Sequence, residues 1–112
     1  MEEIKVTWTK EEFKAYLLIY AAQSNQIETD EEKEFISDKF DSLLLKSIYK
    51  EINGDNDYER IQKILSNIKY HDYTQDDLND LLSEIKNLYL SDGTFDSVEK
   101  TTFNLLVKLF KN

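Results

Sequence analysis

Apolar residues recur at helical spacing along most of the chain, and each block of them follows a residue whose side chain can close a helix N-terminus. Thr9 with Glu12 three positions on forms a capping box, and Trp8 and Phe13 hold the flanking places of a hydrophobic staple. A helix is therefore predicted from Lys10 to about Gln23. Between Phe13 and Ala22 nearly every residue is apolar (Phe13, Ala15, Tyr16, Leu17, Leu18, Ile19, Tyr20). A helix with no polar face is one enclosed by others, so this is expected to be the central helix.

The same signals repeat downstream. Thr29 with Glu32 opens a short helix carrying Phe35 and Ile36, with Ile27 ahead of it and Phe40 behind, both pointing inward. Asp41 or Ser42 caps a third, whose inner face is Leu44, Leu45, Ile48, Tyr49 and Ile52 and which ends at Asn53-Gly54. Asp55-Asn56-Asp57 caps a fourth with Ile61, Ile64, Leu65 and Ile68, and Tyr70-His71-Asp72-Tyr73 reads as a connection. Thr74 with Asp77, stapled by Tyr73 and Leu78, starts a fifth along Leu78, Leu81, Leu82, Ile85, Leu88 and Tyr89. The last helix carries Phe103, Leu106, Val107 and Phe110, widened by Leu105 and Leu109, and should pack on the first. Only Ile4, Val6 and Trp8 alternate with polar residues, which predicts an extended segment over residues 1–8 ahead of one helical domain over 9–112. The expected fold is all-α, a single-domain bundle of about six helices.

Composition narrows what such a bundle can do. A chain of 112 residues makes one domain that buries roughly 60–70% of its unfolded surface. With 40% hydrophobic residues it is too apolar for intrinsic disorder. No cysteine is present, which removes disulfides, thiolate metal sites and cysteine nucleophiles together. A net charge of −9 repels phosphate backbones, so nucleic acid and anionic membranes are poor partners and another protein is the expected one. The acidic start Met1-Glu2-Glu3-Ile4-Lys5 is unlike a secretion signal, and the longest apolar run, Ala15 to Ala22, is too short to span a bilayer. No membrane insertion and a cytoplasmic location are expected.

The chain also repeats itself. A shift of 68 positions lays Asp92-Gly93-Thr94-Phe95-Asp96 over Ser24-Asn25-Gln26-Ile27-Glu28, with Glu99 over Glu31 and Phe103 over Phe35. Gly93 and Asn25 fall where an incoming helix would end in a left-handed residue. The chain reads as two helix–loop–helix units whose loops lie near each other.

In Ser91-Asp92-Gly93-Thr94-Phe95-Asp96-Ser97-Val98-Glu99 and its upstream echo, the sequence resembles the tellurite-resistance TerB-like family over about residues 9–110. That family shows a small residue-Asp-Gly-x-hydrophobic-x-x-x-Glu pattern twice. Here the downstream copy is complete at Asp92, Gly93, Phe95 and Glu99, while the upstream copy keeps only Ile27 and Glu31, with Ser24 and Asn25 in place of Asp and Gly. The resemblance implies a small all-helical domain with an acidic, divalent-cation-binding surface between its loops and a tie to bacterial metal or stress responses.

The chemistry of the second loop admits two readings. Asp92, Gly93, Phe95, Asp96 and Glu99 match the fifth, sixth, eighth, ninth and twelfth places of a calcium-binding helix–loop–helix, but Leu88 and Leu90 stand at the first and third. Asp92, Asp96 and Glu99, completed by Glu28 and Glu31 from the first loop, would then hold Ca²⁺, Mg²⁺, Mn²⁺ or Zn²⁺ weakly. Alternatively Asp96 and Glu99 are a capping box, Gly93 ends a helix and Phe95 fills the core, with no metal needed. Asp30, Glu31, Glu32 and Glu34 suit a charged first turn. His71, the single histidine, is flanked by Tyr70, Asp72 and Tyr73, and a catalytic role would need a pocket converging on it, so no enzymatic activity is expected. The two function classes left are a cation-modulated interaction or sensing module and a metal-free protein–protein adaptor.

Overall fold

Six α-helices among the described residues follow the apolar blocks: α1 (Lys10–Ala22), α2 (Asp30–Ser37), α3 (Ser42–Gly54), α4 (Asp57–Tyr70), α5 (Gln75–Leu90) and α6 (Ser97–Leu109). A single 3₁₀ turn, Gln23–Asn25, extends α1. The computed structural model describes residues 8–25, 28–91, 93 and 97–111, and no strand occurs among them. The predicted extended segment lies outside these residues except for Trp8, whose ring stacks on Tyr16 with centroids 4.6 Å apart.

Helix α1 is the pole of the bundle, touched by α2, α3, α4, α5 and α6. Its sequence explains this directly: Phe13, Ala15, Tyr16, Leu17, Leu18, Ile19, Ala21 and Ala22 are all buried, on every side of the helix. The covering helices are amphipathic and turn one stripe inward. On α3 that stripe is Leu45, Ile48 and Ile52, and on α5 it is Leu78, Leu81, Ile85, Leu88 and Tyr89. Helix α6 packs on α5 and on the 3₁₀ turn as well as on α1. The Phe13 and Tyr73 rings, 5.8 Å apart, join the starts of α1 and α5.

Side-chain caps set the helix starts. The capping boxes Thr9–Glu12, Thr29–Glu32 and Thr74–Asp77 form as the spacing predicts, and Asn56–Glu59 adds a fourth. Asp41, not Ser42, caps α3, accepting from the amides of Leu43 and Leu44. Helix ends follow expectation at Gly93 and at Gly54. Asn25 is the last residue of the 3₁₀ turn, and Gly93 enters the left-handed region at φ 85°. Gly54 remains inside α3, and the helix stops because Asp55 turns extended (ψ 144°). Among the described residues a non-glycine residue, Asp72, also takes the left-handed region (φ 53°). There the amide of Tyr73 donates to the carbonyl of Ile68 and that of Asp72 to Lys69, the paired bonds of a Schellman motif.

Candidate functional site

The two halves of the chain meet where α1 and α5 end. Tyr89 is fully buried and its hydroxyl donates to the carbonyl of Ala21 at 3.0 Å, with Ser24 Oγ 3.3 Å away. Glu32 and Glu99, the third residues of α2 and α6, are buried as well, at 0% and 1% exposure. Both carboxylates act on the same phenol. Burial pushes Tyr89 above its ordinary value, the Ser24 hydroxyl pulls it back, and Glu99 and Glu32 push it further up.

The helix starts give the structural correspondence between the halves. Asp30 and Ser97 begin α2 and α6, so Glu99 is the counterpart of Glu32, one residue beyond the Glu31 of the ungapped repeat. The reason is the connection: the first loop is one residue longer than the second, which a fixed 68-residue shift does not absorb. Glu32 is both a capping-box acid and a core residue, accepting from the Thr29 amide at 3.0 Å and from its hydroxyl at 3.1 Å.

The sequence-proposed cation ligands are placed as follows. Glu31 is exposed on the first turn of α2. Glu28 is half-buried and accepts a hydrogen bond of 2.5 Å from the Tyr49 hydroxyl on α3. Burial and then this bond hold the Tyr49 phenol above its usual value. Glu99 is buried in the core. Asp92 and Asp96, together with the proposed Asp96–Glu99 capping box, lie outside the described residues. Among the described residues no group of three or more histidine, aspartate or glutamate side chains is arranged to hold a metal ion.

A second polar constellation escaped the sequence reading. Lys63 on α4 is only 7% exposed, and its Nζ donates to both carboxylate oxygens of Asp55 at 2.8 Å and to Glu51. Asp55 Oδ2 also accepts from the Tyr16 hydroxyl of the central helix at 2.8 Å. Beside it Arg60 spreads its guanidinium over the end of α3, Nε and Nη2 donating to the Ile52 carbonyl at 3.1 and 2.9 Å. Burial pulls the Lys63 ammonium down, but the hydrogen bonds it donates to Asp55 and Glu51 outweigh it and hold the group above its ordinary value. Burial and the Asp55 bond likewise push the Tyr16 phenol up. The signal available in sequence was the unusual density of Asp and Asn after Gly54, which reads equally well as a turn.

The described residues form open grooves on the surface. One of about 560 Å³ runs between the starts of α1 and α5, with Phe40, Tyr73 and Leu81 below and Lys14, Lys39 and Glu84 on its rim. On that rim Lys14 and Lys39 both pair with Glu84, at 3.0 and 3.4 Å. Another, about 540 Å³, lies between α4 and α6 and is lined by Tyr20, Ile61 and Leu105 among others. His71 lines neither. Its Nε2 is buried without a hydrogen-bond partner among the described residues, and its ring lies edge-on to Tyr70 and Tyr73. No protein-family model, curated protein or solved structure matches this chain.

Proposed function

We propose that this chain is a non-catalytic, TerB-like interaction or sensing module that works in the cytoplasm in a bacterial metal or stress response. Its partner is another protein, favoured by a net charge of −9 that disfavours nucleic acid. No helix among the described residues is long and apolar enough to cross a membrane. A divalent cation, Ca²⁺, Mg²⁺, Mn²⁺ or Zn²⁺, binds weakly between the loops through Asp92, Asp96 and Glu99 with Glu28 and Glu31, and modulates the partner surface.

One observation supports this reading above the others: each half carries a buried first-turn glutamate, Glu32 and Glu99, and both raise the pKa of the buried Tyr89. Burying two carboxylates near one another is unfavourable unless hydrogen bonds or a cation offset their charge. The metal-free adaptor keeps an observation of its own, because Glu28 is engaged by Tyr49 and Glu32 by Thr29. Titration calorimetry with each of the four ions, on wild type and on Asp92→Asn with Glu99→Gln, separates the two. Saturable heat in the wild type that the variant loses supports the cation-modulated module. Heat absent from both removes the ion and leaves the adaptor.

A further inference from the structure

The end of α3 combines three features that bear on covalent chemistry. Asn53 and Gly54 are adjacent and both exposed. Outside the helix's own nearby backbone, no atom lies within 4 Å of the place a Cβ on Gly54 would occupy, so no other element packs against this last turn. The chain leaves the helix at the next residue, Asp55, where the backbone is already extended. Asn25, Asn56, Asn67, Asn79, Asn87 and Asn104 are each followed by a larger residue. Asn56 is further restrained, its side chain accepting from the Glu59 amide at 2.8 Å.

We propose that Asn53–Gly54 is a site of spontaneous deamidation, placed so that the modification loosens the α3–α4 corner. The Gly54 nitrogen loses its proton to solvent base and attacks the side-chain carbonyl carbon of Asn53. A C–N bond forms as the side-chain amide bond breaks, and the amide leaves as ammonia carrying a proton. Water then opens the five-membered imide at either carbonyl, hydroxide going to carbon and hydrogen to nitrogen, to give aspartate or isoaspartate. The net change is one amide and one water to one carboxylate and one ammonium ion, with no oxidant or reductant. Attack requires Asn53 to leave the helical conformation, and the terminal turn of a helix is the part that opens most readily. Glycine at the last position favours that opening, having the greatest freedom to gain.

The consequence follows from what stands next in the chain. Asp55, two residues on, anchors Lys63 and Tyr16 together, and Ile52, one residue back, gives its carbonyl to Arg60. Isoaspartate inserts an extra backbone carbon between these two anchors and shifts one against the other. Aspartate adds only a negative charge at a helix C-terminus, where the dipole disfavours it.

The test is incubation of the whole chain in mildly alkaline buffer at body temperature, followed by peptide mapping with mass detection. Asn53 should convert before any other asparagine, and Gly54→Ala should slow it about fivefold or more, the factor by which the helix preference of alanine over glycine favours the closed turn. Equal rates in wild type and Gly54→Ala, or prior conversion elsewhere, would overturn the assignment. The aged fraction carrying isoaspartate should melt below Asn53→Asp, and coincident melting of the two would overturn the effect on the corner.

Discussion

Glycine at two places has opposite consequences, and the difference lies in one dihedral angle. Gly93 takes φ 85° with open space around it, so Gly93→Ala meets no steric clash but holds alanine in the left-handed region, at about 1–2 kcal/mol. Gly54 sits in equally open space without a positive φ, and Gly54→Ala should stabilise the fold by about 1 kcal/mol. Urea unfolding of both variants checks the pair, and the same sign for both would show that this contrast of backbone conformation is not what governs them. Asp72 is the mirror case, an exposed non-glycine residue at φ 53° closing the Schellman motif of α4. Asp72→Gly should raise the melting temperature, the relief of the left-handed strain outweighing the added freedom of the unfolded chain by about 0.5 kcal/mol. All three positions sit at turns the sequence marked, and the left-handed residue expected at Gly93 is there, while the one at Asp72 was not foreseen. The identity of a residue says what conformation it tolerates, and its neighbours decide whether that conformation is demanded.

Between elements, the contact that matters most is the one tying α1, α3 and α4 through Asp55. Lys63 and Asp55 side chains are each 9% exposed, so removing one partner leaves a charge with little water to receive it. Asp55→Ala should lower stability by about 3 kcal/mol, the lower end for a broken buried pair because Glu51 still reaches Lys63. Tyr16→Phe removes one hydrogen bond from the same carboxylate and should cost about 1 kcal/mol. Denaturant melts of the two single variants and the double variant give the coupling, and additive effects would mean the groups do not act as a unit. This constellation was invisible beforehand for a simple reason. Tyr16 and Asp55 are 39 residues apart, and neither a periodic pattern nor a capping rule links positions so distant. The capping boxes were legible because they close within one turn, and Glu32 shows the limit of that legibility. Its bond to Thr29 followed from spacing, while its burial beside Tyr89 depended on how α5 packs.

Across the whole molecule, the tyrosines make folding sensitive to alkali. Tyr16, Tyr20, Tyr49, Tyr73 and Tyr89 are all held above the ordinary 10.0, burial being the first cause in each. A phenol raised in the folded state contributes its stability in full below the unfolded value and loses it as pH climbs above that value. Tyr16 and Tyr89, both 0% exposed, should each subtract about 1.4 kcal/mol per pH unit beyond 10. Lys63, also raised, loses its contribution in the same direction. Asp77 acts at the other end: hydrogen bonds from Thr74 hold its carboxyl below 3.8, so its share persists above that value and disappears as pH falls below it. Far-ultraviolet circular dichroism across pH should show a steeper loss of helix above 10 than a chain with exposed tyrosines gives, and a flat alkaline limb would contradict the burial of these rings. The bundle itself was the most legible feature of all, since α1 to α5 each announce their start by a local cap and α1 announces its central place by having no polar side.

That central place has a cost in time. A pole that precedes its five coverings along the chain leaves the ribosome naked, presenting Phe13, Leu17, Leu18 and Ile19 to the cell until the last wall arrives. A nascent chain stopped ahead of Ser97 should accordingly light up a dye that reports bare apolar surface, and the greasiest helix of this molecule is the one that waits longest for shelter.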